Sequence, residues 1–285
     1  MLTPTDVGFN KRHYNMSDLK SKVAAITGSA NGLGKALATE LYRQGYHLAI
    51  IDIDYSGLEK LKTELENENQ KITIHNADIS NEQDVISIRQ QIINQHKRID
   101  ILINNAGISI SQTFDQVDLT DAKQLFDINF WGTVYCSKHF LHDLKKQKDS
   151  RLVNIISNFA LMGFPGKTIY GSSKSGIMGF TNSLKTELSD TSIKVCLVIP
   201  PPLDTGLVNN SKNIDDNKRE KEAAFLKKNG MPLNKAARRI IKQVKKGKYR
   251  IVIGAMMFWI DTLSRFFPTT IHYLIGNNKK RFNFV

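Results

Sequence analysis

The sequence predicts a single α/β domain of the doubly wound type, in which a parallel sheet carries helices on both faces. Two observations lead to this fold class. Short apolar runs alternate with longer segments whose apolar residues recur at helical spacing, a pattern typical of repeated strand-helix-strand units. The chain also has 285 residues, of which 41% are hydrophobic and 24% are charged. Such a length and composition are those of one large globular domain with a buried core.

Six apolar runs are the predicted strands, and each is short. They are Val23–Ile26, Leu48–Ile51, Ile72–Ala77, Ile101–Ile103, Leu152–Ile156 and Val195–Ile199. Helices are predicted where apolar residues recur every three or four positions, at residues 33–44, 58–65, 85–93, 121–147 and 169–188. Strands that are apolar throughout belong to a parallel sheet covered on both faces, and such sheets bind ligands beyond the carboxyl ends of their strands. The segments directly after each strand are therefore candidates for a functional site.

The segment after the first strand is rich in glycine, with Gly28, Gly32 and Gly34 between that strand and the first helix. Gly28 permits a sharp turn, Gly32 leaves room for a pyrophosphate against the backbone, and Gly34 lets the helix lie close to the sheet. Free N–H groups at the start of the helix attract an anion. The sequence therefore predicts a dinucleotide site at this turn.

The second strand ends at Asp52, which lies 24 residues after Gly28. A carboxylate in this place accepts hydrogen bonds from both adenine-ribose hydroxyls and repels a 2′-phosphate. Ser29, Ile53 and Asp54 supply no positive charge that would bind such a phosphate. NAD is therefore the predicted cofactor and NADP is less favoured, with a simple capping role for Asp52 as the alternative.

Six motifs occur in an order that resembles the short-chain dehydrogenase/reductase family. They are Thr27-Gly-x-x-x-Gly32-x-Gly34, Asp78, Asn104-Asn105-Ala106-Gly107, Asn129, Ser157 and Tyr170-x-x-x-Lys174. Ser157 precedes Tyr170 by 13 residues, which is the spacing associated with that family. The resemblance is dense over residues 20–205. It implies a Rossmann fold and an NAD(P)-dependent oxidoreductase that interconverts a secondary alcohol and a ketone.

The resemblance implies that Asn129, Ser157, Tyr170 and Lys174 are the catalytic residues. Tyr170 and Lys174 are four positions apart on a predicted helix and share one face, so the ammonium can lower the pKa of the phenol. Tyr170 would then act as the base towards the substrate hydroxyl, and Ser157 would hydrogen-bond the substrate oxygen. Lys174 would also reach the nicotinamide ribose, and Asn129 would hold a water that relays protons to Lys174.

The turn, the strand ends and the resemblance together assign a set of residues to the cofactor. They are Gly28, Ser29, Asn31, Gly32, Leu33, Gly34, Asp52, Asp78, Ile79, Asn105, Ala106, Gly107, Tyr170, Lys174, Pro200, Leu203 and Thr205. Asp78 has the alternative of capping the following helix together with Ser80. No metal site is predicted.

Two positions depart from the family pattern. The segment after the sixth strand reads Pro200-Pro201-Pro202, where the family usually has Pro-Gly, and Ile156 replaces the first serine of a usual pair. Pro201 removes an N–H group and restricts φ, which alters the backbone that shapes the nicotinamide pocket in the family. This departure leaves a second hypothesis open, a dinucleotide-sensing or scaffold protein with the same fold.

The formal net charge of +13 belongs to the C-terminal part of the chain. Residues 1–205 contain 22 basic and 22 acidic residues, whereas residues 206–285 contain 18 basic and 5 acidic ones. A neutral body with a basic end argues against a nucleic-acid-binding protein. Cys136 and Cys196 match neither a disulfide scaffold nor a zinc motif, which favours a cytoplasmic location.

The chain divides into an N-terminal extension, residues 1–21, a catalytic domain, residues 22–254, and a C-terminal extension, residues 255–285. Within the domain, residues 206–232 are polar and are predicted to form an irregular lid over the substrate. The C-terminal extension carries apolar and aromatic residues at helical spacing up to Pro268. Peripheral contact with the inner face of a membrane, a subunit interface in a homodimer or tetramer, and packing over the substrate mouth are all open alternatives. The resemblance to family members with such extensions implies a lipophilic alcohol or ketone as substrate.

Overall fold

Seven parallel strands form one sheet in the structure, a computed structural model that describes residues 22–65, 70–206 and 216–278. The strands are β1 (Val23–Thr27), β2 (His47–Asp52), β3 (Ile72–Asn76), β4 (Ile101–Asn104), β5 (Ser150–Ile155), β6 (Ile193–Ile199) and β7 (Arg250–Val252). Their order across the sheet is β3-β2-β1-β4-β5-β6-β7, and all neighbours are parallel. Because β1 lies between β2 and β4, the connections diverge there and open a crevice at the carboxyl ends of the strands.

Helices cover both faces of this sheet. In the described residues they are α1 (Gly32–Arg43), α2 (Tyr55–Leu65), α3 (Glu82–His96), α4 (Leu119–Phe126), α5 (Gly132–Lys145), α6 (Thr168–Glu187), α7 (Asp216–Asn229), α8 (Leu233–Lys245), α9 (Ala255–Phe266) and α10 (Pro268–Asn277). One face packs against α1, α2 and α8, and the other against α3, α5 and α6. The predicted doubly wound α/β fold is confirmed.

Local sequence explains where several helices begin and end. The side chain of Asn81 caps α3 by accepting a hydrogen bond from the N–H of Gln83 at 2.9 Å. After α1, Gly45 has φ +89°, a conformation that favours glycine and that ends the helix where the sequence predicts. These short-range signals fix the helix lengths and therefore the positions of the strand ends.

The C-terminal half of the domain contains elements that the sequence pattern did not predict. Residues 206–232 were expected to be irregular, but α7 spans Asp216–Asn229, whereas residues 207–215 lie outside the described residues. Helix α8 and strand β7 are also additions to the prediction. The basic run from Lys235 to Arg250 conceals α8, whose buried face consists of Ala236, Ala237, Ile240, Ile241 and Val244.

Helices α9 and α10 present a large apolar surface. Met257 and Asp261 are buried, and Asp261 accepts hydrogen bonds from Arg250 Nε at 3.0 Å and 3.1 Å, which ties α9 to β7. The large side chains on the outer side are exposed, with Trp259 63% and Phe266 70% exposed. The exposed large apolar residues of this segment form a C-terminal aromatic surface, which consists of Met256, Phe258, Trp259, Leu263, Phe266, Phe267, Tyr273 and Leu274.

Across residues 22–65, 70–206 and 216–278, no helix combines the length and the apolarity that crossing a membrane requires. The predicted N-terminal extension, residues 1–21, and the basic Lys279-Lys280-Arg281 segment lie outside the described residues.

We expect Asp261→Ala to lower the free energy of unfolding by about 2–3 kcal/mol. The substitution removes one partner of a largely buried ion pair and leaves the Arg250 guanidinium without its counter-charge. Urea denaturation followed by circular dichroism measures the change. Asp115→Ala, at an exposed position, is the control and should change the free energy by less than about 0.5 kcal/mol. Equal losses in the two variants would show that the pair does not anchor α9.

Candidate active site

The turn between β1 and α1 has no room for side chains at its glycines. Gly28 and Gly32 have φ of +66° and +54°. A Cβ on Gly28 would lie 2.7 Å from the Cα of Ala106, and one on Gly32 would lie 2.8 Å from the carbonyl oxygen of Thr205. A Cβ on Gly34 would lie 1.9 Å from the carbonyl oxygen of Gly28. The turn is therefore in close contact with the segments that follow β4 and β6.

Thr27 and Asn105 join the ends of β1 and β4 by hydrogen bonds. Thr27 Oγ1 accepts from the backbone N–H groups of Asn105 at 3.0 Å and Ala106 at 3.1 Å. The side-chain amide of Asn105 donates to the carbonyl oxygens of Thr27 at 3.0 Å and Gly28 at 3.1 Å. Asn105 thus holds the glycine-rich turn directly. Thr27 is missing from the predicted site residues, and a hydroxyl at the end of a strand next to the turn is the signal that marks it.

The first turn of α1 is open to an anion. Asn31 precedes the helix in an extended conformation, and its side chain makes no capping hydrogen bond to the described residues. The first turn, Gly32-Leu33-Gly34, carries no acidic side chain, so the positive end of the helix dipole is not neutralised there. The backbone N–H groups at the start of α1 are not capped by the side chain of Asn31, and the glycines leave the backbone accessible. Both features suit the pyrophosphate of a dinucleotide.

Asp52 stands next to this turn at the end of β2. Its Oδ2 accepts from the N–H of Ala30 at 2.9 Å, and its Oδ1 accepts from the N–H of Asp54 at 3.1 Å. Each oxygen keeps a further lone pair with which it can accept a ribose hydroxyl. Ser29 is buried, and its hydroxyl donates to the carbonyl oxygen of Ile51 at 3.2 Å, so its side chain supports the turn from below.

Asp78 and Ile79 occupy the segment after β3. Asp78 Oδ1 accepts from the N–H of Ser80 at 2.9 Å and from its hydroxyl at 2.7 Å. The alternative that Asp78 and Ser80 cap the next helix is wrong, because Asn81 is the capping residue. Ile79 packs so closely on α5 that a Cβ on Gly132 would lie 2.6 Å from its Cδ1. Contact of Asp78 and Ile79 with the adenine stays a prediction.

The proline-rich segment after β6 returns towards the glycine-rich turn. Pro200 is half-buried, and Leu203 belongs to the core cluster that includes α1 and α8. Pro201 is buried and faces Gly254, at which a Cβ would lie 3.7 Å from the Pro201 Cβ. Despite the departure from Pro-Gly, the backbone of Thr205 reaches Gly32, the neighbour expected for a residue that contacts the cofactor.

Ser157, Tyr170 and Lys174 come together on the other side of the crevice, and all three are buried. The Ser157 side chain is close enough to the Tyr170 phenol to favour a lower pKa for it, and the Ser157 hydroxyl donates to Asn158 Oδ1 at 3.1 Å. Lys174 Nζ lies 5.9 Å from the centroid of the Tyr170 ring and donates to the carbonyl oxygen of Ile155 at 3.4 Å. A Cβ on Gly107 would lie 3.2 Å from Lys174 Nζ, so the segment after β4 borders the same site.

Burial governs the acid–base properties of these groups. It raises the pKa of Tyr170 to about 12, although the nearby Ser157 side chain favours a lower value, and the negative charge of Glu222 raises this pKa further. Burial also lowers the pKa of Lys174 to about 8. Desolvation of the phenolate is the largest cause of the shift in the Tyr170 pKa, and a lowering of that pKa by Lys174 stays a prediction. The phenol is therefore protonated and able to donate at neutral pH.

Asn129 lies in a π-helical turn, Asp127–Trp131, between α4 and α5, where one continuous helix was predicted. Its Oδ1 accepts from the N–H of Ile108 at 2.8 Å, and its amide donates to the Ile108 carbonyl oxygen at 3.0 Å and to Ser173 Oγ at 3.1 Å. The side chain thus fastens the segment after β4 to α6. Turns of this kind occur frequently at functional sites. The water relay through Asn129 stays a prediction.

Known proteins share this sequence pattern and fold. The family model described as short chain dehydrogenase matches residues 22–216. SadH of Mycobacterium tuberculosis is 29% identical over 272 residues, which are 94% of this chain and 98% of that protein. The 3-ketodihydrosphingosine reductase of Mus musculus is 27% identical over 247 residues, 84% of this chain and 73% of that one. A short-chain dehydrogenase/reductase from Burkholderia phymatum in complex with NAD superposes with a TM-score of 0.80 at 19% identity, over 85% of this chain and 92% of that chain.

A doubly wound sheet, a glycine-rich turn at its switch point and a serine, a tyrosine and a lysine at neighbouring strand ends define an oxidoreductase of the Rossmann type. More particularly, the chain belongs to the short-chain dehydrogenase family, whose model covers more than half of its length. The resemblance inferred from the six motifs is thereby confirmed.

We expect Lys174→Met to stabilise the protein at pH 7, although Lys174 is a predicted catalytic residue. The pKa of Lys174 falls from 10.5 in the unfolded chain to about 8 in the folded one. The folded state therefore disfavours the ammonium, a penalty that is full below pH 8 and absent above pH 10.5. Removing the charge should raise the free energy of unfolding at pH 7 by about 2–3 kcal/mol.

Urea denaturation at pH 7 and pH 10.5 measures this gain, which should shrink at the higher pH. Lys138→Met, at an exposed position of α5, is the matched control and should give no such pH-dependent gain. A Lys174→Met protein that is less stable than the native one at pH 7 would contradict a desolvated ammonium.

Proposed function

We propose that this chain is an NAD-dependent oxidoreductase that interconverts a secondary alcohol and a ketone, with a lipophilic substrate. The observation that carries the proposal is the burial of Ser157, Tyr170 and Lys174 together in the crevice that the glycine-rich turn borders, with Lys174 Nζ 5.9 Å from the centroid of the Tyr170 ring. A hydroxyl, a phenol and an ammonium around one point suit a reaction in which an oxygen gains or loses a proton.

In the reduction, the ketone oxygen would accept hydrogen bonds from Ser157 and Tyr170. The dinucleotide, when bound, supplies the hydride that adds to the carbonyl carbon. Tyr170 donates its proton to the developing alkoxide, and Ser157 stabilises the charge on that oxygen. One ketone, one NADH and one proton thus give one alcohol and one NAD⁺. The pKa of about 12 for Tyr170 supports the donor role, since the phenol is fully protonated at neutral pH.

Lys174 is proposed to bind the nicotinamide ribose and to return a proton to Tyr170. Its pKa of about 8 supports exchange of a proton near neutral pH, because the charged and neutral forms are then both accessible. The hydrogen bonds of Asn129 to Ile108 and Ser173 place this amide on the same side of α6. A water between Asn129 and Lys174 would complete the proton path.

The proposed preference for NAD rests on Asp52 and its surroundings. Two backbone N–H groups orient its carboxylate at the end of β2, beside the glycine-rich turn. A 2′-phosphate in that place would meet a negative charge. The neighbours Ser29 and Asp54 supply no cation that would offset the repulsion.

A lipophilic substrate is supported by the position of the C-terminal aromatic surface. Helix α9 contacts the turn Asn158–Ala160, which directly follows Ser157. A Cβ on Gly163 would lie 3.3 Å from the ring of His272 on α10, so both helices flank the segment between Ser157 and Tyr170. The relative from Mus musculus is named as a reductase of 3-ketodihydrosphingosine, which is a ketone. The surface is proposed to collect such a substrate at a membrane face, with the interface of a homodimer or tetramer as its alternative use.

We expect Tyr170→Phe to lower turnover at least 100-fold, because the variant cannot donate or accept the substrate proton. Absorbance of the reduced nicotinamide, measured over a panel of aliphatic ketones and alcohols, reports turnover. The variant should still bind NADH, as measured by calorimetry, because the glycine-rich turn is unchanged. Retained turnover in Tyr170→Phe would remove this residue from the mechanism.

We also expect Asp52→Asn to lower the ratio of kcat/KM for NAD over NADP about tenfold, because the repulsion of a 2′-phosphate is removed. Asp54→Asn is the matched control, since Asp54 is an exposed carboxylate two residues away that bonds Ser56 and Gly57. Its ratio should stay that of the native protein. Identical ratios in both variants would argue that Asp52 only caps the turn.

A further inference from the structure

A buried ion pair lies next to the proposed catalytic residues and takes no part in the proposed proton and hydride transfer. Lys167, the residue before α6, is 3% exposed, and Glu222 on α7 is 5% exposed. Fully buried lysine and glutamate side chains are rare in proteins unless each has a partner. A buried ion pair beside this site is therefore unusual.

Lys167 and Ser111 together bind the carboxylate of Glu222. Lys167 Nζ lies 2.9 Å from one carboxylate oxygen of Glu222 and 3.3 Å from the other. Ser111 Oγ donates to Oε2 of Glu222 at 3.3 Å, and Lys167 Nζ also contacts this hydroxyl. Lys167 Nζ lies 5.8 Å above the ring of Phe159. An ammonium and a hydroxyl that converge on one carboxylate make charge-assisted hydrogen bonds, which are the strong ones.

This carboxylate site adjoins the catalytic tyrosine. Lys167 and Tyr170 are three positions apart at the start of α6, and the rings of Phe159 and Tyr170 are 6.1 Å apart. The negative charge of Glu222 contributes to raising the pKa of Tyr170, so the two groups interact through space. A substrate whose oxygen lies between Ser157 and Tyr170 would have this site as its neighbour.

Helix α7 is attached at this place by Glu222. Among the α7 side chains that the structure describes, Glu222 is the one that is buried, and Phe225 is exposed. The helix therefore lacks the apolar stripe by which surface helices usually pack. If Glu222 left without replacement, Lys167 would keep an uncompensated buried charge, which is strongly unfavourable.

We propose that Lys167 and Ser111 form an anion subsite of the substrate pocket, and that Glu222 occupies this subsite until the carboxylate of a substrate takes its place. The inference rests on the proposed function and narrows its substrate to a lipophilic ketone or alcohol that carries a carboxylate. Exchange of one carboxylate for another keeps Lys167 paired, whereas a neutral substrate offers it no counter-charge. Selectivity for acids over esters follows from this difference.

Binding of sodium octanoate, measured by calorimetry, tests the subsite without relying on turnover. Glu222→Gln should bind octanoate at least about tenfold more tightly than the native protein, because the internal competitor loses its charge. Lys167→Met should bind octanoate at least about tenfold more weakly than the native protein. The affinity for octanamide, which carries no charge, should be the same in all of these proteins. Glu220→Gln, at an exposed position on the same helix, is the matched control and should behave like the native protein.

Two outcomes of the binding measurements would overturn the proposal. One is a Glu222→Gln protein that binds octanoate no more tightly than Glu220→Gln does. The other is a Lys167→Met protein that retains the affinity of the native one. Circular dichroism of each variant excludes loss of the fold, and Lys167→Arg, which keeps the charge, should retain binding if Lys167→Met proves unstable.

Turnover then connects the subsite to the proposed function. With NADH, the native protein should reduce 4-oxononanoate with a kcat/KM about tenfold above that for its methyl ester, and Lys167→Met should bring this ratio close to one. If neither compound is reduced while octanoate binding behaves as expected, the proposed function fails and the subsite stands. If both are reduced at equal rates by the native protein, the function stands and the subsite fails.

Discussion

The site depends on the burial of Tyr170 and Lys174 at the carboxyl ends of the strands. In water, a phenol and an ammonium have similar pKa values, but here burial raises the pKa of Tyr170 to about 12 and lowers that of Lys174 to about 8. Both shifts favour the neutral forms, so the phenolate needs compensation. A positive charge bound next to the phenol would provide it. The same burial that destabilises the charged groups thus makes their ionisation responsive to what binds beside them.

Hydrogen bonds from side-chain amides to the backbone keep these groups in place. Asn105 holds the turn after β1 through the carbonyl oxygens of Thr27 and Gly28. Asn129 holds both backbone groups of Ile108 and the hydroxyl of Ser173 on α6. An amide suits this task because it offers donors and an acceptor in one plane, and a buried polar group is costly unless satisfied. The loops that border the crevice are therefore held by hydrogen bonds from the side-chain amides of Asn105 and Asn129.

Much of this arrangement could be predicted from the sequence because it follows from local patterns. Apolar runs predict the strands, and the spacing of Ser157, Tyr170 and Lys174 places them on one strand end and one helix face. The features that could not be predicted depend on contacts between residues distant in the sequence, or on apolar helical periodicity that basic residues interrupt. Cations conceal the apolar stripe of α8, and the Lys167–Glu222 pair joins residues 55 positions apart, which no local pattern indicates. The pKa of Tyr170 also required the structure, since the largest cause of its shift is burial, which the motif alone does not indicate.

The surroundings of the site have two chemical characters, and together they support the proposed amphiphilic ligand. On one side, Lys167 and Ser111 bind a carboxylate inside the protein, where water cannot screen the interaction. On the other, the C-terminal aromatic surface exposes large apolar side chains beside the turn that follows Ser157. A small polar alcohol would use neither feature, and a hydrocarbon ketone would use only the second. An amphiphilic molecule with a reactive oxygen near its acidic end would use both, because its head pairs with Lys167 while its chain leaves along the apolar helices.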